Sequence, residues 1–244
     1  MKIWMRVILA ACFGLGVLWM VGSGAIKWLE HQEAASVLQQ DVTVEEPKEK
    51  KEEEKQEEQV VKQVALTFDD GPHPVYTEEL LDGLKERNVR ATFFVLGEHA
   101  QLYPELIERM QEEGHLIGNH TYSHLQLKKG NWEEYREELV KTNQVICQIT
   151  GEEVCYVRPP YGSWDKSFEE ELNMFPVMWT VDSRDWCSKD AAGVAKKVVK
   201  ETGEGDIILM HDYYASTVKA ALAAVDELLE KGYTFVTVEE ILFD

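Results

Sequence analysis

Hydrophobic positions along this chain fall into three regimes. Residues 7–26, VILAACFGLGVLWMVGSGAI, carry no charged side chain over 20 positions, the length of a membrane-spanning helix. From about residue 30 to residue 63 large apolar side chains thin out and the run EEPKEKKEEEKQEEQ takes over. A segment of that composition buries too little to fold onto a core. It reads as a solvated spacer, helical at most transiently through Glu/Lys pairs, with a reach of roughly 30–50 Å. From residue 64 to the end, short apolar runs alternate with amphipathic stretches.

The short runs predict strands: VALTF (64–68), ATFFVLG (91–97), HLIGN (115–119), CYVR (155–158), PVMWTVD (176–182), DIILMH (206–211) and YTFVTV (233–238). Between them the helical period predicts helices over 77–88, 103–113, 131–149, 166–173, 190–201 and 216–231. Asn88, Gly114, Gly151, Gly203 and Gly232 fall at or after the helix ends, where a left-handed residue is favoured. Strands alternating with helices imply a parallel α/β fold. The expected architecture is a distorted or incomplete TIM-like (β/α) barrel of about seven parallel strands. An open doubly wound sheet is the alternative, without a glycine-rich dinucleotide fingerprint to support it.

Lys2 and Arg6 precede the apolar run, so the positive-inside rule places the N-terminus in the cytoplasm and everything after residue 26 outside. The expected organisation is a membrane anchor over 1–29, a charged spacer over 30–63 and a catalytic domain over 64–244. The protein would then sit in the cell membrane as a single-pass chain with its domain extracytoplasmic. A signal peptide cleaved near Ser23-Gly24-Ala25 and a lipoprotein box at Leu9-Ala10-Ala11-Cys12 are rival readings of the same run. Outside the cytoplasm a disulfide is permitted, and Cys147 with Cys155 is the pair close in sequence; free thiols are the equal alternative.

Net charge changes the list of partners. The chain carries 45 acidic and 25 basic residues, a formal charge of −20. From Val64 onward the balance is 34 acidic against 17 basic residues. A surface this acidic repels nucleic acid and anionic polymers, which leaves a neutral partner as the expected one.

The candidate chemistry gathers at the carboxyl ends of the expected strands, the face on which barrel active sites are built. Asp69-Asp70-Gly71-Pro72 ends the first, Asn119-His120 through His124 the third, Arg158-Pro159-Pro160-Tyr161-Gly162 the fourth, Asp182 through Trp186 the fifth, and His211-Asp212 the sixth. The i, i+4 spacing of His120 and His124 predicts two imidazoles on one face of a helical turn. With a carboxylate they make the three-ligand, open set of a catalytic metal centre. Asp69 and Asp70 would point to opposite faces of a regular strand, so both can serve one site only if the strand breaks, and Gly71-Pro72 supplies the break. A glycosidase would use two facing carboxylates, but that reading leaves the histidines and Arg158 unexplained.

TFDDG, HTYSH, RPPYG, DSRDW and LMH, in this order, resemble the five motifs of the polysaccharide deacetylase (NodB homology) family, carbohydrate esterase family 4. The resemblance covers essentially all of 64–244. It implies that Asp70, His120 and His124 hold a divalent metal, usually Zn2+, and that Asp69 is the general base, oriented by Arg158. It implies further that the Tyr161 backbone N–H faces the developing oxyanion and that His211 is the general acid, tuned by Asp185. Trp186 and Leu209 would line the pocket for the acetyl methyl group. The implied activity is removal of N-acetyl groups from an amino-sugar polymer, foremost cell-wall peptidoglycan, with another exopolysaccharide, a chitooligosaccharide or a catalytically silent wall-binding module as alternatives. Outside the motifs, His31, His99 and His115 read as surface or structural residues. His73 and Trp164 read equally as substrate contacts or as ordinary surface and core residues.

Overall fold

The computed structural model describes residues 62–243. The expected anchor, most of the spacer and Cys12 lie outside the described residues. Among the described residues no helix is long and apolar enough to cross a membrane.

Eight parallel strands form one sheet: β1 (Lys62–Asp69), β2 (Thr92–Val95), β3 (Leu116–Asn119), β4 (Tyr156–Val157), β5 (Phe175–Pro176), β6 (Val181–Asp182), β7 (Ile207–His211) and β8 (Tyr233–Val236). The helices are α1 (Tyr76–Glu86), α2 (Gly97–Leu102), α3 (Pro104–Glu112), α4 (Trp132–Thr150), α5 (Ser167–Leu172), α6 (Ala191–Glu201), α7 (Ala215–Glu230) and α8 (Val238–Phe243). The six predicted helices are present. The short α2 and α8, at six residues each, escape a periodicity reading because neither completes two turns.

The sheet order is β5-β4-β3-β2-β1-β7-β6, with β8 paired to β1. Ala65 pairs with Ile207 on one edge and Val236 on the other, while Thr67 pairs with Leu209 and Thr92. One edge of β1 therefore meets β8 low and β2 high. The single strand predicted over 176–182 is instead two two-residue strands, β5 against β4 and β6 against β7. The segment 175–182 thus passes from one end of the sheet to the other and makes an incomplete, distorted TIM-like barrel.

Strand alternation sorts the core into layers. Leu66 and Phe68 of β1, Phe93 and Val95 of β2, and Ile208 and Met210 of β7 face outward. They pack with Leu80 and Leu84 of α1, Val198 of α6 and Val225 and Leu228 of α7. Ala65, Phe94 and Ile207 turn inward with Tyr156 and Val177. On β1 the inward positions run Ala65, Thr67, Asp69, so the barrel interior changes from apolar to charged toward the carboxyl ends. Burial of this apolar surface, at about 25 cal/mol per Å2, holds the scaffold that carries the polar rim.

Of the five residues expected to be left-handed, Asn88, Gly114, Gly151 and Gly232 are. Gly203 is not; its N–H donates to Asp206 Oδ2 at 2.6 Å, and Gly205 takes the left-handed turn at φ 75°. Cys147 and Cys155 are both free thiols, so the thiol alternative holds for that pair.

Candidate active site

The carboxyl ends of β1, β3, β4, β6 and β7 bring the predicted residues together. β1 ends at Asp69, and Asp70 takes a left-handed conformation at φ 75° ahead of a cis Gly71–Pro72 bond. The break lets the two neighbouring carboxylates face the same site. Asp70 Oδ1 lies 3.4 Å from His120 Nε2 and 3.5 Å from His124 Nε2.

The histidines do not sit on a helical turn as their spacing predicted. They lie in a loop after β3, in which Thr121 and His124 adopt φ 67° and 62°. Side chains hold that loop open: Asn119 Oδ1 accepts the Thr121 N–H at 2.7 Å, and Glu138 Oε2 on α4 accepts the N–H groups of Tyr122 and Ser123 at 2.9 and 2.6 Å. His120 Nδ1 donates to the Arg158 carbonyl at 2.5 Å, which fixes the tautomer and leaves Nε2 as a free lone pair.

Ligand atoms of Asp70, His120 and His124 lie within 4.8 Å of one another. Asp70 Oδ1 is buried with no hydrogen-bond partner in the protein. Burial opposes ionisation of Asp70, but the surrounding histidines, His120 first, bring its pKa down to about 2. Burial and the neighbouring His120 both push His124 below its ordinary value, toward the neutral imidazole. One carboxylate, two imidazoles and an unmatched buried oxygen fit a divalent cation.

On one side of this triad stands Asp69, 3 % exposed, whose Oδ1 accepts Arg158 Nη1 at 2.9 Å. Arg158 is wholly buried. Its Nε and Nη2 donate to the carbonyls of Val177 and Met178 at 3.0 and 3.3 Å, and Nη1 also reaches Thr67 Oγ1 at 2.5 Å. The guanidinium lies 4.2 Å over the Phe94 ring, a cation–π contact inside the barrel.

On the other side stands His211, whose Nδ1 donates to Asp185 Oδ1 at 2.9 Å. Asp185 also accepts the His211 N–H at 2.8 Å and the hydroxyls of Thr217 and Ser183 at 2.8 and 2.9 Å. Burial works against the imidazolium, yet the Asp185 carboxylate overrides it and raises His211 to about 9. Burial likewise works against the Asp185 carboxylate, which the His211 contact nevertheless holds below its ordinary range.

Residues 56–178, which take in TFDDG, HTYSH and RPPYG, match a family model described as polysaccharide deacetylase. The chain belongs to the polysaccharide deacetylase family. Over 180 residues this family member is 41 % identical to a peptidoglycan-N-acetylglucosamine deacetylase, PgdA, of Listeria monocytogenes, matching 74 % of this chain and 39 % of that protein. The chain thus spans well under half the length of that relative. A solved structure of the peptidoglycan deacetylase PdaC from Bacillus subtilis is 38 % identical with a TM-score of 0.73, covering 75 % of this chain and 91 % of that one. A further solved structure, 30 % identical with a TM-score of 0.69, is BA3943 of Bacillus anthracis, named as a pseudoenzyme of carbohydrate esterase family 4. It covers 74 % of this deacetylase-family chain and 65 % of its own.

Of the remaining predicted residues, Tyr161 adjoins His124 directly. Tyr161 has φ 58°, and its ring stands edge-on to His124 at 4.9 Å. Leu209 projects from the same face of β7 as His211, one layer deeper. Trp186 is 57 % exposed on the turn Asp185–Cys187. Trp164 packs 5.4 Å from Phe168 in the α4–α5 cluster, so its core reading prevails. His115 is buried and accepts the Ala91 N–H, a structural role.

Three residues to which the sequence reading gave no role in the chemistry support the site. Thr67 is an inward hydroxyl beneath Asp69, and inward alternation along VALTF was the signal for it. His99 Nδ1 donates to the Asp70 carbonyl at 2.8 Å. Asp212 is fully buried beside His211, and burial raises it to about 7.

Proposed function

We propose that this protein is a metal-dependent N-deacetylase acting on peptidoglycan, on N-acetylglucosamine or N-acetylmuramic acid units. One observation carries the reading: a two-histidine, one-aspartate cluster flanked by an arginine-supported carboxylate on one side and an aspartate-supported histidine on the other. Hydrolysis of an amide needs a base beside water, an acid for the poor amine leaving group, and positive character where oxyanion charge develops. The family's named peptidoglycan deacetylases support the substrate class.

Asp70, His120 and His124 would hold the ion, for which zinc is the proposal. Such an ion, when bound, polarises a carbonyl and acidifies water. Asp69 is the proposed base, held in place by its ion pair with Arg158. His211, protonated through its contact with Asp185, gives its proton to the departing nitrogen. The Tyr161 N–H is the proposed donor to the oxyanion, and Trp186 with Leu209 the proposed lining for the acetyl methyl group. The acidic surface favours an uncharged glycan segment over an anionic polymer. The apolar run over 7–26, with Lys2 and Arg6 before it, supports a membrane-anchored, extracytoplasmic setting with 30–63 as spacer.

The deciding experiment incubates the purified, zinc-loaded chain with peptidoglycan fragments, chitooligosaccharides and an acetylated exopolysaccharide. Acetate release and mass spectrometry of the products are the readouts. Loss of acetyl groups from peptidoglycan fragments is expected. Turnover confined to another glycan moves the substrate, and binding without turnover of any glycan would leave a silent wall-binding module.

A further inference from the structure

The Asp70 ligand and the His211 acid belong to different strand ends, and their relative position is set by whatever joins the turn after β1 to the end of β7. We propose that Asp212 is a positioning residue which, through Thr77, ties the metal-binding turn to the strand end that carries the general acid. The proposal rests on the functional reading above for the roles of Asp70 and His211.

Asp212 follows an inward-facing His211, so strand alternation sends its side chain the other way. There it is 0 % exposed and pressed against Gly71. A Cβ built on Gly71 would lie 2.3 Å from Asp212 Oδ2 and 2.4 Å from Oδ1, so only glycine admits this carboxyl beside the turn. Oδ2 accepts the hydroxyl of Thr77 at 2.5 Å, and Thr77 Oγ1 in turn accepts the His73 N–H at 2.7 Å. One side chain thus touches the residue after the Asp70 ligand and, through a single hydroxyl, the residue two positions further on.

The opposite flank of the turn is fixed by different groups. The Gly71 carbonyl accepts the Leu96 N–H at 3.0 Å, and the Asp70 carbonyl accepts His99 Nδ1 at 2.8 Å. The turn is clamped from β2 and α2 on one side and from Asp212 and Thr77 on the other. Asp70 must keep its left-handed backbone for Oδ1 to face both imidazoles, and a turn held from one flank only would let it relax. Asp212 Oδ1 itself has no hydrogen-bond partner in the protein. An unmet buried group of this kind opposes folding, so fold stability alone does not account for a carboxyl at this place.

The test compares Thr77→Val, Thr77→Ser and Asp212→Asn with the unmodified chain. Zinc affinity is measured by chelator competition, kcat and KM on an acetylated glycan, and melting temperature without metal. Thr77→Val keeps the side-chain shape and removes both hydrogen bonds. We expect it and Asp212→Asn to weaken zinc binding by about 10–100-fold, the range for outer partners of metal ligands, and to lower kcat with KM little changed. Thr77→Ser should restore both. Unchanged zinc affinity and kcat overturn the proposal, and so does a lower melting temperature with neither affected. If the unmodified chain deacetylates no glycan, the functional reading fails while the zinc titration still decides the positioning role.

Discussion

Asp69 and His211 are register partners across the β1–β7 ladder, so the proposed base and the proposed acid share one face of the sheet at adjacent strand ends. Each has its own buried support, Arg158 for Asp69 and Asp185 for His211. The metal triad is carried by the next residue of β1's exit and by the loop after β3. Roles assigned to side chains in this arrangement are separable by substitution.

The two neighbouring aspartates should fail differently. Asp70→Asn removes a ligand, so bound zinc drops and excess zinc recovers part of the rate. Asp69→Asn keeps zinc and lowers kcat by about 10²–10⁴-fold, the usual cost of losing a general base. Metal content and acetate release measured together distinguish the two; zinc lost from Asp69→Asn and kept by Asp70→Asn reverses the assignment.

His120→Ala and His124→Ala should each abolish zinc binding and turnover, because a three-ligand site has no ligand to spare. Chelation of the unmodified chain should do the same reversibly, with zinc restoring the rate. Full turnover in a preparation shown to be metal-free contradicts the mechanism.

The His211–Asp185 pair predicts a pH dependence for the metal-free protein. The folded pKa of His211, about 9, stands above its ordinary 6.5. Its contribution is therefore complete below about pH 6.5 and is lost as pH rises through about 9. Asp185 is shifted the other way, so its contribution is present above the ordinary carboxylate range and lost on acidification. Melting temperatures of the unmodified chain and Asp185→Asn should differ most between the ordinary carboxylate range and about pH 6.5 and converge toward about pH 10, beyond any constant offset. A difference independent of pH above neutrality is the contrary result.

Gly71→Ala should destabilise the fold by about 1–3 kcal/mol, the usual cost of forcing an atom into a filled space, because its methyl would collide with the Asp212 carboxyl. Denaturant unfolding gives the number. Wild-type stability would mean that the carboxyl moves aside freely.

Much of this was legible in the sequence, and the exceptions have physical causes. Period-two runs and 3.6-residue spacing located the strand regions and six helices because burial on fixed faces writes those periods into the chain. PVMWTVD read as one strand, yet the Val177 and Met178 carbonyls are taken by the Arg158 side chain, a partner no local pattern announces. The spacing of His120 and His124 suited a helix, but Glu138, distant in sequence, captures the loop N–H groups instead. Asp212 looked like a neighbour of the acid; alternation turns it to the far side of β7, and only the fold shows what it meets there.

Arg158 has a consequence beyond the carboxylate it faces. Its guanidinium bonds the two carbonyls at the point where the chain crosses from β4 toward β7, a seam with little ladder of its own. One side chain therefore stitches the wall of the barrel and holds Asp69, the proposed proton acceptor, inside it. Replacing it would open that seam and free the Asp69 carboxylate at once, so closure of the barrel wall and the setting of the candidate site rest on one side chain.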